Sequence, residues 1–199
     1  MIVQKSIPSA SATRTGVWVG IGAITMSFAA YTSAMVVRQG SFPAWQHFRL
    51  PPILYWNSLV LVVSSGTLEL ARRRIGGPFD RLGRADSLSA ERLRERLVWL
   101  WATLGLGFVF LAGQYLAWHG LSAQGVFLAT SPSSSFFYVL TAVHALHLLG
   151  GLGALTYALR CLRVDDGPHS VHVLGAVALY WHFMAVLWLY LLVILALWV

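Results

Sequence analysis

The sequence predicts an all-α integral membrane bundle of five transmembrane helices, and three observations carry that prediction. Of 199 residues, 57% are hydrophobic and 11% charged, against roughly 45–50% and about 25% in water-soluble domains, so lipid is the expected solvent. Five apolar runs follow one another, at 16–37, 52–71, 97–118, 136–159 and 172–198, each close to or above the ~20 residues that carry a helix across ~30 Å of hydrocarbon. In lipid a helix satisfies its own amides, whereas five strands cannot close a barrel within one chain. The expected organisation is a polar segment at 1–15 and a membrane domain at 16–199, with a basic loop at 72–96.

Taken in order, residues 1–15 carry Lys5, Pro8 and Arg14 and no apolar stretch leading to a cleavage site, so no removable signal peptide is expected and the first run serves as an uncleaved anchor. That run opens with Gly16 and Gly20, a small-xxx-small pair suited to close helix packing, and Gly150, Gly151 and Gly153 crowd the fourth run in the same way. The loop after the second run starts with Gly76, Gly77 and Pro78. From Ser87 to Arg96 it reads as a helical lead-in, with Glu91 and Arg94, and Arg92 and Glu95, at i,i+3 spacing. Residues 119–135 hold no Asp, Glu, Lys or Arg but do hold Pro132 and a run of serines, which suits a short loop near the interface. Trp18, Trp45, Trp56, Trp99, Trp101, Trp118 and Trp198 sit near run ends, where an indole keeps its N–H wet and its ring buried.

Charge sets the orientation. Lys5, Arg14, Arg72, Arg73, Arg74, Arg81, Arg84, Arg92, Arg94, Arg96, Arg160 and Arg163 all fall on one side of the five runs, and only Arg38 and Arg49 fall on the other. The amino terminus and the 72–96 loop are therefore expected inside and the carboxyl terminus outside. Fourteen basic against seven acidic residues would also suit nucleic acid, but here the cations cluster between apolar runs rather than on one amphipathic face, so no nucleic-acid partner is expected. The single cysteine, Cys161, rules out an internal disulfide and a thiolate cluster supplied by this chain alone.

Few residues could carry chemistry. His144 and His147 in the fourth run and His182 in the fifth are placed near mid-membrane by a rise of ~1.5 Å per residue. Three converging imidazoles could hold copper, or two could hold a haem. The preferred reading is interhelical hydrogen bonding to Thr141, Tyr138, Tyr180 or backbone carbonyls, because polar side chains in lipid usually bond across helices. Glu69 is the only carboxylate within a span and lies beside Arg72 and Arg73 at i+3 and i+4, so ion pairing is expected ahead of a proton-relay role. Gln114 reads as a helix-to-helix hydrogen bonder. Walker, Rossmann, zinc-protease and nucleophile-elbow patterns are all missing from the sequence. No catalytic, cofactor-binding or metal residue is expected.

Four strings now matter more than composition: LPPILYWNSLVLVVSSGTLELARR, FLAGQYLAWHGL, SPSSSFFYVLTAVHALHLLGGLGAL and YWHFMAVLWLYLLVILAL. In this order they resemble the haem-copper oxidase (cytochrome c oxidase) subunit III family in its five-helix bacterial form, over essentially residues 16–198. The family's proline-initiated span with Asn-Ser and Ser-Ser is matched by Pro51, Asn57, Ser58, Ser64 and Ser65. Its Phe-Tyr-Thr-His stretch is matched by Phe137, Tyr138, Thr141, His144 and His147, and its closing Tyr-Trp-His-Phe by Tyr180, Trp181, His182 and Phe183.

The resemblance implies a non-catalytic subunit packed mainly against oxidase subunit I, with subunit II also in the complex and a larger respiratory supercomplex as a further setting, in the plasma membrane of a bacterium. Haem and copper would reside in those partner subunits, and this chain would support their stability and proton uptake as oxygen is reduced to water. Longer members have seven helices, two of which help form a cleft for phospholipid. Five are read here, so bound phospholipid would need a partner to complete that cleft, with Arg72, Arg73 and Arg74 as candidate headgroup contacts. Two carboxylates common in relatives have no counterpart in VGIGAITMSFAAY or at Ala185. Alternatives are an accessory subunit of a nitric oxide reductase and a haem b membrane anchor using His144 or His147 with His182. A small transporter would require internal repeats and broken helices, which the sequence does not show.

Overall fold

The computed structural model describes residues 10–41, 48–73, 86–164 and 168–198, apart from the side chains at 10–12, 86–90, 92 and 168. The described residues form five α-helices: α1 (Ala10–Ser41), α2 (Ile53–Arg73), α3 (Asp86–Ala123), α4 (Pro132–Val164) and α5 (Pro168–Trp198). All five are long and apolar enough to cross a membrane. Each helix runs past its apolar run on at least one side, because hydropathy marks only the part in hydrocarbon while the backbone ladder continues into the headgroup region.

The loop expected at 72–96 is shorter than that. Arg72 and Arg73 close α2, and residues from Asp86 to Arg96 already belong to α3, a stretch rich in Leu, Glu and Arg and free of Gly and Pro. Arg74, Arg81 and Arg84 lie outside the described residues, as do Lys5, Pro8, Trp45, Gly76, Gly77 and Pro78.

Local chemistry fixes the α3–α4 connection at both ends. Gly125 takes a positive φ of 80°, which a residue without a Cβ adopts freely. Around it Val126 N donates to Leu121 O at 3.1 Å and Gly125 N to Ser122 O at 3.0 Å, the paired bonds of a Schellman stop. Ser131 then caps α4, its Oγ accepting from Ser134 N at 3.2 Å while Ser134 Oγ accepts from Ser131 N at 3.1 Å, and Pro132 fills the first helical position, where no amide is needed.

Helices α2, α3, α4 and α5 close a ring in which α2 meets α3 and α5, and α4 meets α3 and α5. Neighbours in the ring run antiparallel, as the bonded levels show: Asn57 with Phe110 and Ser64 with Thr103, Trp118 with Thr141, and Ser58 with Trp188. Helix α1 stands outside the ring and packs only on α4 and α5, through Ile21, Phe28, Thr32 and Met35, which share one face at helical spacing. The opposite face of α1 looks away from the chain, so a Cβ on Gly16 or Gly20 would meet nothing within 4 Å, and that pair does not pack internally as expected.

Trp181 and Trp188 of α5 fill the middle of the ring, both essentially buried. Two glycines make room for Trp181. A Cβ on Gly107 of α3 would come within 2.9 Å of the indole, and one on Gly151 of α4 within 3.3 Å, whereas Gly150 and Gly153 face open space. In α3, Gly113 leaves space for the Asn57 amide, on which a Cβ would collide.

Candidate functional site

Several buried polar groups form a seam along α2. Asn57 Nδ2 donates to Phe110 O at 3.1 Å, and Ser64 Oγ donates to Thr103 O at 3.2 Å. Thr67 and Thr103 hydroxyls lie 2.9 Å apart. From the other side the indole N–H of Trp188 donates to Ser58 Oγ at 2.9 Å and that of Trp181 to Ser64 Oγ at 3.3 Å. Each serine thus joins α2 to a neighbour, which in lipid replaces a hydrogen bond that no water can supply.

Toward the end of the bundle where α1 and α5 begin and α2 finishes, the seam becomes charged. Ser65 Oγ makes a short hydrogen bond to His182 Nδ1, and His182 Nε2 lies 3.4 Å from Glu69 Oε2. Glu69 accepts from Arg72 through Nε at 2.8 Å and Nη2 at 2.9 Å, and from Arg73 Nε at 3.0 Å. The carboxylate is therefore held by two guanidinium groups on its own helix and linked to α5 through the His182 imidazole. His182 sits at the level of Glu69, one turn from the end of α2.

The three histidines do not share a site. The His147 ring packs 6.0 Å from Phe28 of α1, with Nδ1 2.7 Å from Val143 O. His144 lies between Phe110 at 5.9 Å and Trp188 at 5.1 Å. It is fully buried, and neither ring nitrogen has a hydrogen-bond partner. His182 turns to α2 instead. These directions do not fit a common copper or an axial haem pair, and among the described residues no group of three or more His, Cys, Asp and Glu converges.

The expected imidazole partners are otherwise engaged. Thr141 Oγ1 accepts from Trp118 Nε1 at 3.0 Å, Tyr138 OH donates to Val126 O at 2.9 Å, and Tyr180 OH donates to the backbone oxygen of His147 at 3.0 Å. Gln114 is buried with neither amide atom bonded, so the helix-to-helix bond expected of it is not made. Sequence reasoning did not single out Trp188, Gly107 or Gly113, and it named Trp181 only within the family's closing Tyr-Trp-His-Phe. The available signal was the seven-residue spacing of the two tryptophans, which puts them on one face of α5.

A bundle of five helices, each long and apolar enough to cross a membrane, defines a multi-pass helical membrane protein. Comparison with known proteins identifies its family. The sequence pattern of "Cytochrome c oxidase subunit III" matches residues 85–199. A "Probable cytochrome c oxidase subunit 3" of Mycobacterium leprae is 30% identical over 166 residues, covering 81% of this chain and 74% of that protein. One of Nocardia farcinica is 34% identical over 92 residues, 46% of this chain, so the match spans less than half of that relative, 45%. The "Cytochrome c oxidase subunit 3" of Gallus gallus is 33% identical over 106 residues, 53% of this chain and 40% of its own length. The chain belongs to the cytochrome c oxidase subunit III family.

Proposed function

We propose that this chain is the subunit III component of a haem-copper terminal oxidase in a bacterial plasma membrane, a non-catalytic bundle that stabilises subunit I and supports its proton uptake as oxygen is reduced to water. The observation that carries this reading is the family match over residues 85–199, and the geometry is consistent with it. Two of the three intramembrane histidines are hydrogen-bonded to protein oxygens and the third is enclosed by aromatic rings, an arrangement that suits helix packing. Haem and copper belong to subunits I and II in this reading. In this reading the amino terminus faces inside and the carboxyl terminus outside, which the distribution of arginines supports.

The test is affinity purification of the chain in mild detergent, with an absorption spectrum and mass spectrometry of what accompanies it. Haem and a large copper-bearing subunit should co-purify and should leave when this chain is stripped away. A nitric oxide reductase in their place, or stoichiometric haem retained by the stripped chain, overturns the reading.

A further inference from the structure

Helices α3 and α4 are linked near both ends. At one end Trp118 Nε1 donates to Thr141 Oγ1 at 3.0 Å, and at the other the Arg163 guanidinium lies 5.3 Å from the centre of the Trp101 ring. Between these links runs a groove of about 420 Å³, lined among others by Leu111, Gln114 and Tyr115 of α3 and by Ala142, Ala145 and Leu146 of α4. We propose that this groove receives a transmembrane helix of a neighbouring subunit, and that a hydroxyl or amide side chain of that helix bonds to Gln114. The inference deepens the reading above: it rests on the chain being one subunit of a membrane complex, and it names the face and the chemistry of one contact.

Polarity is the first argument. Gln114 is 1% exposed, and neither Nε2 nor Oε1 has a hydrogen-bond partner. Such a carboxamide is costly in hydrocarbon, where no water replaces the missing bonds. Its neighbours are already engaged. Thr141 Oγ1 accepts from Trp118 and donates to Phe137 O at 2.7 Å, Asn57 Nδ2 donates to Phe110 O, and His144 is turned to the Phe110 and Trp188 rings. Because Gln114 forms part of the groove wall, the partner it lacks inside the chain can come from outside. An acyl chain would fill the groove and leave the amide unbonded, whereas Ser, Thr, Asn or Gln on a helix satisfies both.

Shape is the second argument, and α1 supplies the precedent. That helix rests on α4 and α5 and sets Phe28 against the His147 ring, so one furrow beside α4 is already filled by a helix. The groove toward α3 offers another. Ala142 and Ala145 leave its α4 wall low, which lets a second backbone come close. Leu146, 65% exposed, and Tyr115, 64% exposed, line it with apolar and aromatic surface that an incoming helix would cover. No charged side chain lines it, as suits a contact made within the hydrocarbon layer.

The experiment uses the intact complex purified with the full chain, carrying the photoreactive residue benzoylphenylalanine in place of Leu146. Irradiation should join it to one transmembrane segment of a co-purifying subunit, and mass spectrometry should place the adduct within about one helical turn of a Ser, Thr, Asn or Gln. Gln114→Leu should lower the yield about threefold, the worth of one interhelical hydrogen bond in lipid. Ala145→Phe, which fills the groove, should abolish it. Adducts to lipid alone, or an undiminished yield in Gln114→Leu, overturn the proposal. If these variants fail to assemble, the probe in the otherwise unaltered chain decides: an adduct beside a polar residue of a partner helix supports the contact, and one to lipid or to a wholly apolar segment overturns it. A chain that purifies without partners overturns the reading above together with this one, whereas an intact complex with adducts to lipid alone overturns this one only.

Discussion

Helix α1 and the ring of α2 to α5 contain the same small hydroxyl residues and use them differently. In α1, Thr25, Ser27, Thr32 and Ser41 each donate to the carbonyl four residues back, at 2.8–2.9 Å. In α2, Ser64 donates to Thr103 O of α3 and accepts from Trp181 of α5. Ring hydroxyls that bond back to their own helix still take a donor from a neighbour, as Ser58 does from Trp188 and Thr141 from Trp118, so a hydroxyl on a seam joins two or three helices. Burial follows the same division, from 22% of the apolar window of α1 to 44% of that of α5. The ring is thus the part that specifies the fold, and α1 is a docked helix with a free side.

The largest test of that contrast is Trp188→Ala. The indole donates to Ser58 of α2 and lies 4.9 Å from Phe110 of α3 and 5.1 Å from His144 of α4, so truncation should destabilise the purified protein by about 3–5 kcal/mol. Met26→Ala, at a site on α1 that is 77% exposed, should leave the thermal midpoint almost unchanged. Equal losses from the two would erase the distinction.

Glycine substitutions come next. Gly107→Ala should cost about 1–3 kcal/mol, since the methyl enters the space of Leu152 and Trp181. Gly20→Ala should be neutral or slightly stabilising, because its Cβ meets nothing and alanine is the better helix former. Denaturation in a graded detergent mixture would rank the pair, and a sensitive Gly20 would show that its open face is covered in the complex.

Ser64→Ala leaves Trp181 N–H without its acceptor and should cost about 1 kcal/mol, against less than about 0.5 for Thr25→Ala. The smallest expected effect concerns the histidines. His144→Phe should be near neutral or stabilising, because a buried ring with no hydrogen-bond partner is replaced by an apolar one. His182→Phe should loosen α2 from α5 by removing the links to Ser65 and Glu69. Amide exchange along α2 reads that difference directly, and matched protection in the two variants would contradict it.

Five helices were legible in the sequence because hydropathy runs of this length have few other outcomes in lipid. The pairing of Glu69 with Arg72 and Arg73 was legible for a similar reason, since i+3 and i+4 spacing decides it without reference to the rest of the fold. What could not be read was the direction of each polar side chain around its helix. His144 and His147 are three residues apart, yet one faces Trp188 and the other Phe28, an outcome set by where α5 and α1 pack. Gln114 and the pair Gly16 and Gly20 were expected to join helices for their residue type alone, and the packing left them without that role.

The connection between α3 and α4 bears on how such a protein is made. Gly125 stops one helix and Ser131 starts the next within a few hydrogen-bonded residues, so the two spans have little freedom to drift apart after leaving the ribosome. A hairpin set in this way would enter the bilayer with its offset already defined and present Gly107, Phe110 and Gly151 as a ready surface. Helix α5, made after this hairpin and bringing Trp181 and Trp188, would then close the ring against it, so closure of the ring waits on that span.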